Sequence, residues 1–515
     1  MVSSDEHLAS VAGVDVLARG GSAVDAALAA NAVLAVTSPQ SCGMGGDLWA
    51  VVHGPGLGAP VVLNASGRAG SGADAERLRA SGATQMPLTH DIRAVTVPGC
   101  VDGWMALHER FGRLALDEVF ARAIDYADHG FPASIELVRS LAAQIAPRPT
   151  PGSEELLAQV HAPGDLVRRA GVARTLRAIA AGGRDALYGG EFGRGLLALG
   201  AGEFTGDDLA TGQADWVAPL HVDVWGHTVW TAPPNSQAYL ALAGAWIATG
   251  LGLPDNADDV AFAHLLAEAA AAAGHDRPSV LHEAADGTAL VSPERLAPRR
   301  DAIDATRAGA WGATTMPGDT TYLCAVDADR MGVSLIQSNA AGFGSGLFEP
   351  TTGINLHDRG LGFNLVAGHS AEYGPGRRPP HTLSPLLVTG PDGSPRFVLG
   401  TMGGDAQPQI LLQLLARLLH YGQSPGRAVG SGRWVLAGPA TGFDTWTAPS
   451  GRRLEVEAHA AESWVPALRA LGHDAREILA LSSAVGHAHV IAIEPRGVLL
   501  GAADPRVSSG AVSAY

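Results

Sequence analysis

The 515-residue chain contains no lysine, so all 35 of its basic side chains are arginine. That absence excludes a Schiff-base lysine, and with it ordinary pyridoxal phosphate chemistry. It also excludes a phosphate-binding loop of the type that needs Lys. Cysteine is nearly absent too. Cys42, Cys100 and Cys324 are too few and too scattered for a disulfide framework or a paired-cysteine metal site, and each reads as a small buried residue. Aromatic residues make up 5% of the chain against 66 glycines, which implies a core of small and aliphatic side chains. No stretch approaches ~18 uncharged apolar residues without a Gly or Pro break, as a membrane-spanning helix requires. The opening Met1-Val2-Ser3-Ser4-Asp5-Glu6-His7 lacks the basic and apolar regions of a secretory leader. The expectation is a soluble, cytoplasmic chain. Its 51 acidic side chains outweigh the 35 arginines for a formal charge of −16, which argues against nucleic acid or an anionic membrane as partner.

What is present falls into two textures. Up to about residue 318 the pattern is helix-rich, and Ser22 is placed to cap an Ala-rich helix from Ala23 to about Val36. Helical spacing recurs over 104–145, 166–200 and 260–273, with a loop expected at 145–165 and an irregular, exposed stretch at 285–318. The glycine cluster Gly43-Met44-Gly45-Gly46-Asp47 precedes a strand at Leu48–Val52, and strand character returns between Val222 and Val229. Beyond residue 320 strands dominate. A hairpin is expected from 321–326 and 332–338, joined by Asp327-Ala328-Asp329-Arg330. Further strands are expected at 396–399, 489–494 and 497–500, and a helix at 409–419. At ~100–200 residues per domain the length suits several domains or one large composite core.

The run Gly318-Asp319-Thr320-Thr321-Tyr322 sets two hydroxyl residues at the start of the first strand of that hairpin. A mid-chain threonine has no base of its own. Cutting the preceding peptide bond would supply one, because a free α-amine has a pKa of ~8 and can take the Oγ proton directly or through water. Two glycine loops, Gly342-Phe343-Gly344-Ser345-Gly346 and Gly403-Gly404, can converge backbone N–H groups on a developing oxyanion. Each of these features alone also reads as ordinary hairpin or turn chemistry. Rival chemistries find less support, for there is neither a GxSxG elbow nor an HExxH motif. His487-Ala488-His489 offers two imidazoles without a third ligand and reads as a packed or solvent-facing strand. Asp327 and Asp329 read as turn residues, since Arg330 and Met331 stand where a calcium loop needs oxygens and glycine. No metal or organic cofactor is indicated.

Taken in order, the motifs resemble the γ-glutamyltranspeptidase family of N-terminal nucleophile hydrolases over nearly the whole chain. The resemblance rests on residues 16–27 (Val16-Leu17-Ala18-Arg19-Gly20-Gly21-Ser22 onward), 43–47, and Val97-Pro98-Gly99-Cys100-Val101-Asp102-Gly103-Trp104. It continues through Asp215-Trp216-Val217, Pro233-Pro234-Asn235-Ser236-Gln237, the Thr320 strand, the Gly342 loop, Arg377-Arg378-Pro379, Ser384-Pro385, Gly403-Gly404 and Gly501-Ala502-Ala503-Asp504-Pro505-Arg506. It implies an α+β fold, a four-layer αββα sandwich. Cleavage between Asp319 and Thr320 would give a large subunit, 1–319, and a small one, 320–515, sharing one composite core. Thr320 would be the nucleophile, with Thr321 and Ser338 orienting it and Gly403 and Gly404 stabilising the oxyanion.

The chain departs from the glutathione-cleaving members at the substrate end. Gly362 stands where they carry an acidic residue that binds the substrate amino group, and Ala340 replaces an asparagine. His381-Thr382 replaces a serine pair. Arg68 sits two positions from the arginine that grips the α-carboxylate. The expectation is therefore an amidohydrolase or acyltransferase acting on something other than glutathione. The pattern resembles divergent branches of the family: cephalosporin-acylase-like proteins, and secondary-metabolism homologues that include carbon–carbon hydrolases of alkylproline-type antibiotic biosynthesis. Ordinary γ-glutamyl transfer, with Arg359, His381 or Asp405 taking over amino-acid recognition, is one alternative. An uncleaved, non-catalytic homologue is the other.

Overall fold

The computed structural model describes residues 1–309, 320–437, 453–460, 462 and 464–515. Two antiparallel sheets organise it. The first has seven strands in the order Ala511–Ser513, Val2–Ser4, Thr321–Val326, Gly332–Ser338, Asp47–His53, Val61–Ala65 and Asp215–Val217. The second has six, in the order Leu499–Ala502, Ala488–Ile493, Pro395–Thr401, Leu386–Thr389, His227–Thr231 and Leu220–Val224. Both sheets take strands from either side of position 320.

Alternation along the strands decides what each sheet face meets. Trp49, Val51, Tyr322, Cys324 and Ile336 of the first sheet pack with Leu387, Val398, Ile491 and Ile493 of the second, in one buried cluster. The opposite face of the first sheet, with Leu48, Ala50, Leu323 and Leu335, packs on helices that include Ala23–Thr37. The far face of the second sheet, with Val388, Leu399 and Val490, packs on Tyr239–Thr249 and Gln407–Leu415, and Val260–Gly274 packs in turn on those two helices. All 15 residues of Ala23–Thr37 are buried. A helix apolar on every side must be enclosed, and small alanines let its neighbours approach closely.

Ser22 caps that helix as expected, with Asp25 closing a reciprocal capping box. The hairpin forms at Thr321–Val326 and Gly332–Ser338, and Asp327 ties its turn by accepting from the Met331 N–H at 3.0 Å. Two expectations need correction. The loop at 145–165 holds a helix, Glu154–Gln159. The stretch expected to be irregular contains Gly287–Leu290 and Pro293–Asp301, the latter capped by Ser292 with proline in its first turn. Strand character at 222–229 resolves into a hairpin whose turn residues Trp225 and Gly226 both have positive φ. Among the described residues no helix is long and apolar enough to cross a membrane.

Candidate active site

Thr320 stands immediately before its strand, 2% exposed. Its Oγ1 lies 3.0 Å from Ser338 Oγ at the end of the adjacent strand. Ser338 Oγ also accepts from the Ala340 N–H at 2.8 Å. A serine oxygen that accepts from an amide still has its own proton to give. Ser338 can therefore share a hydrogen bond with Thr320 in either direction. Ala340 is buried and has a φ of 75°. Thr321 Oγ1 donates instead to the Gln337 carbonyl at 3.3 Å. Asp319 lies outside the described residues.

Met402 follows the strand Pro395–Thr401, and Gly403 (φ 132°) and Gly404 (φ 55°) then turn the chain into the helix Gln407–Leu415. Their N–H groups sit at a helix start, where amides have no intrahelical acceptor. Among the described residues neither donates to a partner. Gln237 Nε2 holds the loop from behind, donating to the Gly404 carbonyl at 3.0 Å and the Thr382 carbonyl at 3.1 Å. Thr320, Thr321 and Met402 line a single cavity of about 170 Å³, together with Asp5, Glu136 and His487. The glycine loop thus begins on the wall of the cavity that Thr320 faces.

Strand register sets Asp47 opposite Ser338. Gly46, just before it, has no room for a side chain, because a Cβ would lie 2.3 Å from the Ser338 carbonyl oxygen. Asp47 is fully buried and gathers three residues. Arg359 Nε donates to it at 2.6 Å, His381 Nε2 lies 2.9 Å away, and His357 Nδ1 is at 3.4 Å. Burial pushes the Asp47 carboxyl upward, but the Arg359 charge and then His381 outweigh it and hold the group well below the usual carboxylate range. Burial and the Arg359 charge push His381 down to about 4, so it is a neutral donor to Asp47 at pH 7. Arg359 Nη1 also donates to Thr382 Oγ1 at 3.1 Å. Beside the cluster, burial raises Asp358 to about 7 while its Oδ1 accepts from the Ala341 N–H at 3.0 Å.

Arg359, His381 and Thr382 are thereby assembled around a residue that sequence reasoning passed over. Asp47 closes the glycine cluster, which marked only the approach to a strand; an acid entering a buried strand was the available signal. Asp405 is buried with its Oδ1 3.3 Å from Arg277 Nη2. Gly362 lies against Pro380, whose carbonyl oxygen would be 2.2 Å from any Cβ. Arg68 is placed elsewhere, on Asp215 at 2.7 Å and on the Gly212 carbonyl. His489 and His487 are buried against Asp5, at 2.9 and 3.6 Å. They are packed residues, as their strand pattern suggested, but Asp5 and His487 share the Thr320 cavity.

The two sheets and the buried strand-start threonine match a class of enzymes. The sequence model of the gamma-glutamyltranspeptidase family matches residues 9–514, and the chain belongs to that family of N-terminal nucleophile hydrolases. It is 35% identical to an oxamate amidohydrolase proenzyme of Klebsiella pneumoniae, over 100% of this chain and 98% of that one. A crystal structure of cephalosporin acylase from Bacillus halodurans superposes with a TM-score of 0.90 at 32% identity, covering 100% of this chain and 95% of the other. A structure of LmbA2991HD superposes with a TM-score of 0.89 at 27% identity, covering 99% and 97%.

Proposed function

We propose that the chain is an autoprocessed amidohydrolase or acyltransferase that works through an ester on Thr320, with a substrate other than glutathione. One observation carries the reading: Thr320 and the residue leading into the Gly403-Gly404 loop line one cavity, with Ser338 bonded to the nucleophilic oxygen. In the precursor, Thr320 Oγ attacks the Asp319 carbonyl carbon. The peptide C–N bond breaks as nitrogen takes the proton, leaving an ester. Water hydrolyses the ester, freeing the Asp319 carboxylate and the Thr320 hydroxyl beside the amine already released, and yields subunits 1–319 and 320–515. In the mature enzyme that amine accepts the Oγ proton as the oxygen attacks a substrate amide, then passes the proton to the departing amine. The N–H groups of Gly403 and Gly404 stabilise the oxyanion. Water or a second amine finally takes the acyl group.

The same reading takes the three buried clusters as the interfaces between the four layers of an αββα sandwich, helices outside and two sheets within. Relatives that are proenzymes support the processing step. The oxamate amidohydrolase and the cephalosporin acylase support a donor other than glutathione. The likeness to LmbA2991HD keeps a second reading in view, in which the same hydroxyl attacks a carbonyl flanked by a scissile carbon–carbon bond.

Intact-mass analysis tests the nucleophile. Wild-type protein is expected as two chains divided before residue 320, and Thr320→Ala as one full-length chain without activity. A wild type that stays whole on prolonged incubation, or a cleaved Thr320→Ala, overturns the assignment. Product analysis of simple acyl anilides against a γ-glutamyl anilide tests specificity, and strong γ-glutamyl turnover at low concentration would refute it.

A further inference from the structure

Outside the Thr320 cavity, the helix Val260–Gly274 carries two polar side chains on one buried face, His264 and Glu268. Residues at this spacing stand one above the other on a helix. They are 0% and 2% exposed. His473, in the turn after the helix Trp464–Ala470, meets both. Its Nε2 lies 2.8 Å from His264 Nδ1 and 3.9 Å from Glu268 Oε1. One potential ligand atom from each of the three residues falls within 4.8 Å of the other two. His264 and His473 are 209 residues apart in sequence, so no spacing motif reveals the group.

Contacts behind the cluster aim its atoms. The Asp304 carbonyl lies 2.9 Å from His264 Nε2. A carbonyl only accepts, so Nε2 carries the ring proton and, in the neutral imidazole, Nδ1 presents a lone pair. The Gly309 N–H donates to Glu268 Oε2 at 3.0 Å, while Oε1 faces His473. A carbonyl behind an imidazole and an amide behind a carboxylate are the outer contacts that orient metal ligands.

We propose that His264 Nδ1, Glu268 Oε1 and His473 Nε2 bind a zinc ion, with water as an exchangeable fourth ligand. Two imidazole nitrogens and one carboxylate oxygen suit zinc, whereas calcium and magnesium take oxygen ligands. Tetrahedral bonds of about 2.0–2.1 Å set ligand atoms ~3.3 Å apart. The observed 2.8 and 3.9 Å bracket that value, so the rings part slightly and the carboxylate closes in. The proton between the rings moves from His473 Nε2 to Nδ1 of the same ring, and both histidines bind as neutral ligands. Glu268 gains a cation that offsets the cost of burying its charge.

The placement gives the ion a role apart from the Thr320 reaction. His264 and Glu268 belong to the segment before the proposed cleavage point, and His473 to the segment after it. Both outer contacts come from residues 304–309, which lead toward Thr320. The Ala308 N–H also donates to the Leu471 carbonyl at 2.7 Å, beside His473. Zinc here fixes the approach to the cleavage point and ties the two products of processing together.

The test dialyses full-length protein against a chelator and titrates it with zinc alone, followed by calorimetry and elemental analysis. Wild type is expected to take up one equivalent. At free zinc about 100-fold above Kd, its unfolding constant should fall about 100-fold. His264→Gln and Glu268→Gln should each lose more than about 100-fold in affinity, beyond what an outer contact is worth. Cobalt in place of zinc should give wild type the intense visible absorption of a tetrahedral site, a readout that needs no variant. Failure to take up one equivalent overturns the proposal, because a proton alone then neutralises the cluster. Zinc binding that survives both substitutions, or a weak octahedral cobalt spectrum, overturns it as well. An uncleaved chain carries the same three residues, so failure of the Thr320 assignment leaves this test intact.

Discussion

Ser338 serves two neighbours through one oxygen, touching Thr320 Oγ1 and receiving the Ala340 amide. Ser338→Ala removes both contacts while leaving the strand intact. Losing one hydrogen bond to the nucleophile is worth ~1–1.5 kcal/mol, so kcat is expected to fall about 10-fold and processing to slow similarly, with KM little changed. Rate measurements alongside timed denaturing gels check it. Asp358 offers a second residue-scale prediction. Burial, opposed by the Ala341 amide and Arg359, raises its folded pKa to about 7 from 3.8. The folded state therefore holds a proton that the unfolded state has released, and this group's contribution to stability falls as pH climbs from ~4 through 7. Asp358→Asn keeps the acceptor for the Ala341 amide and removes the titration. Its melting temperature relative to wild type should rise between pH 5 and pH 8. A constant difference across that range would show that Asp358 is not the group titrating.

At the scale of elements, the parts that sequence reading found are those whose signals lie within a few residues. Ser22 with Asp25 marks a helix start, and Ser22→Ala should cost ~1 kcal/mol, read as a lower denaturant midpoint with unchanged slope. The hairpin after Thr320 was equally legible, because both strands and their turn fit inside 18 residues. The helix Pro293–Asp301 was overlooked although Ser292 and Pro293 form a good start. Its arginines, prolines and low apolar content masked it. Short strands such as Val61–Ala65 and Leu386–Thr389 are buried on both faces, so the period-two alternation that reveals a strand is blurred.

Across the whole molecule the two segments flanking position 320 are interwoven rather than apposed. Val2–Ser4 is hydrogen-bonded on one side to Thr321–Val326 and on the other to Ala511–Ser513. Gly332–Ser338 pairs along its length with Asp47–His53. Parting two cleaved chains would break ladders in both sheets and expose the cluster between them. After processing they should co-elute in native size exclusion and separate only in denaturant concentrations that also abolish the folded far-ultraviolet signal. Separation at lower concentration would mean the composite core contributes less than its burial implies.

The amino-acid order by itself determined the family, through motifs ordered along nearly the whole chain, and also the hairpin that begins just after Thr320 and the glycine turn at 403 and 404. The hairpin and the glycine turn depend on periodicity and turn residues close together in the chain. Only the tertiary structure decided what surrounds them. Asp47 and Arg359 are 312 residues apart in sequence, and nothing local says that they meet or that His381 loses its charge beside them. Gly362 looked like a deleted acid, whereas the fold puts the Pro380 carbonyl in the space that a side chain would need. Burial and long-range contact set the charge of this site, and both are properties of the packed molecule.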